Sequence, residues 1–174
     1  MTNFPDSQPD ERAEHCCTTP TTETASISPM KLALEHCPRC GQKGQQIDTL
    51  TVKALLAISL EHIRPTSYRF CRTEDCPVVY FSADGQVFEE EALRERVHQK
   101  HPLADDVFVC YCFRHTPGSI RTELETTGKS TVIERIRAGI DAGQCACEVR
   151  NPQGSCCLGN VTKLVRRLPK TSSE

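Results

Sequence analysis

Tryptophan is absent from the 174 residues, and Phe and Tyr bring the aromatic share to only 5%. The large, rigid side chains that fill one big core are therefore scarce. No apolar run approaches the ~20 residues that a helix needs to cross a bilayer. The N-terminus also lacks the basic start and apolar stretch of an export signal, so a cytoplasmic location without membrane contact is expected. A net charge of −2 gives no reason to expect nucleic acid as a partner, although "KLVRRLPK" is locally basic. No Ser/His/Asp set, phosphate-binding loop or dinucleotide fingerprint is found, which favours a carrier or metal-handling role over an enzyme.

What the chain has in excess is sulfur: 12 cysteines, nearly all in close pairs. In a reducing cytosol such pairs are better read as metal ligands than as disulfides. Residues 1–35 hold six acidic residues against two basic ones and are rich in Thr, Ser and Pro. They read as a disordered arm. On that arm His15, Cys16 and Cys17 form a group of soft donors able to capture Cu(I).

Beyond the arm the sequence predicts an α+β chain in two small units, 36–105 and 106–168, with a tail at 169–174. Units this small need staples, and metal is the expected one. In the first, "CPRC" and "CRTEDC" lie about 30 residues apart, the pattern of a zinc ribbon. Cys37, Cys40, Cys71 and Cys76 are thus expected to close one tetrahedral zinc site, with His36 and His62 as alternative ligands. A strand is predicted at Tyr68–Cys71, and "CPVVYFSADGQVF" predicts a hairpin turning at Ala83-Asp84-Gly85. "EEEALRERVHQKHP" predicts a short helix closed by Pro102.

The second unit reads as helical. Thr116 with Pro117 starts one helix that Gly128 ends, Thr131 and Glu134 have capping-box spacing for another that Gly143 stops, and a third begins near Asn160. Here the cysteines come as Cys110/Cys112, Cys145/Cys147 and Cys156-Cys157. A one-residue spacing falls outside that of structural zinc sites, whereas a [2Fe–2S] cluster accepts it.

"VCYCFRHT" together with "CACEVRNPQGSCCLGNV", preceded by "CPRCG" and "YRFCRTEDCPVVYF", resembles the N-terminal metal domain of the CopZ-type copper chaperones. That domain is in turn similar to bacterioferritin-associated ferredoxin. The resemblance covers Cys37 to Leu168 and implies a zinc quartet of Cys37, Cys40, Cys71 and Cys76. It also implies a [2Fe–2S] quartet of Cys110, Cys112, Cys147, which precedes "NPQG", and Cys157. Cys145 and Cys156 are left over, as alternates or as buried thiols. The family continues into a copper-binding domain with its own Cys-x-x-Cys, which this sequence lacks, so copper delivery by that domain is not expected.

The expected function is therefore a bimetallic accessory protein that transfers electrons to a redox or metal-trafficking partner in copper or other thiophilic-metal handling. The alternative is a two-zinc nucleic-acid or protein-interaction module using Arg166 and Arg167. The polar, glycine-bearing loop "RNPQGSCC" is expected to form the edge open to a partner.

Overall fold

A computed structural model describes residues 35–168. The arm up to residue 34, with His15, Cys16 and Cys17, and the tail 169–174 lie outside the described residues. Four short strands, β1 (Gln45–Ile47), β2 (Tyr68–Phe70), β3 (Val78–Ser82) and β4 (Val87–Glu89), pair antiparallel in sequence order. Between β1 and β2 the carboxylate of Asp48 accepts the Leu50 N–H at 2.7 Å and starts helix α1 (Thr49–Leu55). The predicted hairpin joins β3 to β4, with Gly85 at φ 86° where a side chain would be strained.

All five residues of β3 are buried. Val79 and Tyr80 face a core shared with Val52, Leu55 and Leu56 of the α1 region and with Tyr68 and Phe70 of β2. Val78 and Phe81 join the opposite face, among Cys37, Cys71 and Cys76. Two consecutive residues can share a face because the register shifts between Val78 and Tyr80.

The helix predicted over 89–102 is reduced to one 3-10 turn, Glu90–Ala92. Backbone groups that would continue it are taken by the chain after α1. Ala57 N–H donates to the Ala92 carbonyl at 2.8 Å and Arg94 N–H to that of Leu55 at 2.9 Å. The Glu90 carboxylate then accepts from Val97 N–H and meets His101 Nε2, each at 2.6 Å.

The helical region contains α2 (Pro117–Thr127), α3 (Val132–Asp141), α4 (Cys147–Arg150) and α5 (Leu158–Arg167). Thr116 caps α2 as predicted, exchanging hydrogen bonds with Ser119, and Gly128 ends it at φ 73°. The capping box predicted for α3 does not form. Thr131 instead gives its hydroxyl and its N–H to the Glu123 carboxylate, which ties α3 back to α2. The one-turn helix α4 was not foreseen; it is too short for any periodic signal. Ile120, Leu124, Val132, Ile136 and Val161 pack around Cys110, Cys147 and Cys157.

Sheet and helices are joined by specific contacts. Helix α1 packs on α4. The buried Tyr80 hydroxyl donates to the Pro152 carbonyl at 2.8 Å. The Tyr111 hydroxyl donates to the Arg96 carbonyl at 2.8 Å and accepts from His98 N–H at 2.9 Å.

Two outcomes test this packing. Tyr80→Phe leaves the Pro152 carbonyl buried without its donor and should cost about 1–3 kcal/mol in denaturant unfolding. His98 is held neutral by burial, which lowers its pKa, and its Nδ1 has no hydrogen-bond partner. The unfolded chain therefore takes up the proton first as pH falls, and stability should drop below about pH 6.5. In the His98→Gln variant that part of the pH dependence should disappear from a melting series.

Candidate metal centres

The "CPRCG" segment folds into a knuckle. Cys37 N–H donates to the Gln42 carbonyl and Gly41 N–H to the Cys37 carbonyl, both at 2.8 Å, with Gly41 at φ 71°. The second pair brackets a loop between β2 and β3. Cys71 extends the ladder through its N–H to the Val79 carbonyl at 2.9 Å, and Cys76 N–H meets the Thr73 carbonyl at 3.3 Å. The buried Lys100 anchors this loop by donating its ammonium to the same Thr73 carbonyl at 2.7 Å.

The four sulfurs of Cys37, Cys40, Cys71 and Cys76 all lie within 4.8 Å of one another. Cys37 and Cys76 are 3.8 Å apart, and Cys40 and Cys71 are 3.6 Å apart. A tetrahedron with metal–sulfur bonds of about 2.3 Å has edges of about 3.8 Å, so the donors fit zinc. The alternative ligands His36 and His62 are not in this group.

The protons in this group are unevenly held. Burial would raise the Cys40 thiol, but the Thr73 hydroxyl, the Gln42 N–H and the neighbouring thiols outweigh it and bring it to about 6. Cys76 is pushed up by burial to about 12. Cys40 is thus the thiolate ready to receive a cation, whose charge then expels the remaining protons.

The second gathering is built on "VCYCFRHT". Its ends are tied by Val109 N–H to the His115 carbonyl at 2.9 Å and His115 N–H to the Cys110 carbonyl at 3.1 Å. Arg114 takes the left-handed conformation at φ 57° and lays its guanidinium over the Phe108 ring. Phe113 packs directly on Gly139 of α3, where no larger residue fits.

Facing this loop, Cys147 begins α4 and Cys157 stands at the N-cap of α5. Cys157 packs in the same apolar cluster as Cys110 and Cys147, and its thiol beside them lowers their pKa values, that of Cys147 to about 5. Its own thiol is pushed up by the same contacts. Cys112 lies 3.7 Å from Cys147, and its sulfur accepts the Ala146 N–H at 3.4 Å. Of the residues named for a second centre, Cys110, Cys147 and Cys157 share one apolar cluster with Cys112 packed against it, while Cys110 and Cys157 lie outside the close sulfur group.

Cys145 was left over as an alternate because the resemblance selects Cys147, and its sulfur is 3.9 Å from that of Cys112 and 3.3 Å from that of Cys147. Cys112, Cys145 and Cys147 form a second close group of potential ligands. Cys156 points elsewhere and is exposed, so it is not a buried thiol.

The loop expected to be open is open only in part: Arg150 and Cys156 are exposed, and Gly154 and Ser155 are half-buried. Asn151, Pro152 and Gln153 of "RNPQGSCC" are buried. Their polar groups are satisfied within the loop: Asn151 Nδ2 donates to the Ser155 carbonyl at 2.7 Å, and Asn151 Oδ1 accepts from Gln153 N–H at 3.2 Å. Gln153 Oε1 accepts from Asn160 at 3.0 Å. A polar loop that satisfies its own groups can be buried at little cost. Cys112 and Cys145 are half-buried. Among the described residues no helix is long and apolar enough to cross a membrane.

A family model described as a zinc binding domain, zf_CopZ, matches residues 34–94. The copper chaperone CopZ of Archaeoglobus fulgidus is 34% identical over 129 residues, 74% of this chain and 61% of that protein. The chain therefore spans less than two thirds of that relative's length. The X-ray structure of the Archaeoglobus fulgidus CopZ N-terminal domain matches with a TM-score of 0.63 at 33% identity, covering 77% of this chain and 98% of that one.

Removal of one zinc ligand tests the first site. A structural zinc contributes ~10 kcal/mol or more of apparent binding energy, comparable to the whole stability of a small domain. Cys40→Ser should therefore lose zinc and unfold the sheet, seen as lost near-ultraviolet dichroism of Tyr68 and Tyr80. In the parent protein, zinc affinity should fall with pH because binding must expel the Cys37 and Cys76 protons, and fall more steeply below about 6, where Cys40 also gains its proton. Chelator competition across pH measures this.

Proposed function

The chain belongs to the family of the CopZ N-terminal zinc-binding domain, and from that premise we propose a protein with two metal centres of different purpose. Zinc on Cys37, Cys40, Cys71 and Cys76 holds the sheet. A [2Fe–2S] cluster on Cys110, Cys112, Cys147 and Cys157 serves electron transfer in the handling of copper or another thiophilic metal. The partner is a redox or metal-trafficking protein, and His15, Cys16 and Cys17 offer donors for Cu(I) capture.

The observation that carries this reading is the composition of the second gathering: thiols alone, with no carboxylate or imidazole, set in an apolar core. Such a donor set suits soft metals and iron–sulfur clusters. When bound, the cluster supplies one-electron redox chemistry. The protein's residues set its surroundings. Cys110, Cys147 and Cys157 are buried and keep water from one side. Cys112 is half-exposed and gives a short route to a partner's surface. The Ala146 N–H donates to the Cys112 sulfur, which favours the more negative, reduced state and raises the potential.

The copper link rests on the relative's name and on a chain that spans 61% of that protein. It is part of the proposal.

Anaerobically purified protein should be red-brown and contain iron and acid-labile sulfide in equal amounts, beside zinc. A one-electron reductant should give a paramagnetic state that returns without loss on reoxidation. Zinc in both sites and no sulfide would sink the cluster assignment, and a cluster destroyed by one redox cycle would sink electron transfer.

A further inference from the structure

The second centre has one sulfur too many. Cys112 is 3.7 Å from Cys147 and 3.9 Å from Cys145, and both distances match the edge of about 3.8 Å expected between two thiolates on one metal. Cys145 and Cys147, however, are only 3.3 Å apart. That is about half an ångström less than an edge, so the two sulfurs stand side by side at one position next to Cys112. The geometry makes them competitors for a single corner beside Cys112.

Their backbones favour different roles. Cys147 opens α4 and is held by that turn, with Asn151 N–H on its carbonyl at 3.0 Å. Cys145 precedes the helix, in the loop that leaves α3 through Gly143 at φ 69°, and is half-buried where Cys147 is buried. The buried, fixed thiol is the resident ligand, and the looser one stands next to the same position.

Resting on the reading of this centre as a [2Fe–2S] site, we infer that Cys145 is a reserve ligand that takes the place of Cys147. In the exchange the Cys145 thiol gives up its proton as it forms a sulfur–iron bond. The Cys147 sulfur–iron bond breaks, and Cys147 takes the proton. No electron changes hands. A tethered thiol at high effective concentration recaptures iron before it escapes, so the cluster survives the loss of one bond at its exposed edge.

Three variants and one rate measurement test this on the full-length, anaerobically purified protein. Cys147→Ala should keep the visible absorption, iron and sulfide, with a shifted electron paramagnetic resonance spectrum in the reduced state. The double variant Cys145→Ala/Cys147→Ala should lose them while retaining zinc. Cys145→Ala, which leaves all four resident ligands, should have the parent spectrum but release iron to a chelator about tenfold faster, a difference of about 1.4 kcal/mol in the barrier.

A zinc-replete Cys147→Ala protein as colourless as the double variant overturns the inference. So does an iron-release rate in Cys145→Ala equal to that of the parent, and this second result decides the matter if Cys147→Ala does not fold. Parent protein without iron and sulfide refutes the reading of the centre itself, which is a separate outcome from either.

Discussion

Strand β3 is buried on both faces, and the rest of the structure depends on what covers each one. A chain without tryptophan and with 5% aromatics cannot supply two ordinary cores around one strand. One face receives the apolar residues of α1 and β2. The other is covered by Val78, Phe81 and the zinc-ligand thiols, so the metal site takes the place of a second hydrophobic layer. A structural zinc suits this task because its binding energy is also folding energy.

The same strand positions the second centre. Tyr80 points away from the zinc side and reaches the Pro152 carbonyl, in the loop between Cys147 and Cys157. That loop is buried because Asn151 and Gln153 satisfy its polar groups, and burial holds the two cysteines at its ends against the "VCYCFRHT" turn. Zinc site, sheet and second thiol group therefore form a connected series. The two thiol groups are nonetheless built differently. The first brings four sulfurs together at the spacing of one tetrahedron, and the second brings three, of which Cys112 and Cys145 belong to half-buried residues.

The α+β class, the hairpin, the Thr116 cap, the Gly128 stop and the zinc quartet were legible from residues alone. Each rests on local chemistry: a glycine at positive φ, a hydroxyl at a helix start, a knuckle of fixed spacing. The family of the zinc half was legible too, from motifs long enough to be specific. Features that failed were those in which a distant segment outbid a local preference. The helix expected at 89–102 lost its backbone groups to the chain after α1. The hydroxyl of Thr131 went to Glu123 instead of its own helix.

Sequence by itself determined the first thiol site, because a Cys-x-x-Cys knuckle presents two thiols together and a second pair lies about 30 residues on. Beyond that site, which pairs meet and which of their thiols are buried were decided only by the tertiary structure. Loop burial depends on hydrogen bonds closed across many residues, such as Asn160 to Gln153. The nearness of Cys145 to Cys112 depends on how α3 delivers its last loop to a turn more than thirty residues earlier, with a sulfur–sulfur distance of 3.9 Å that no spacing rule encodes.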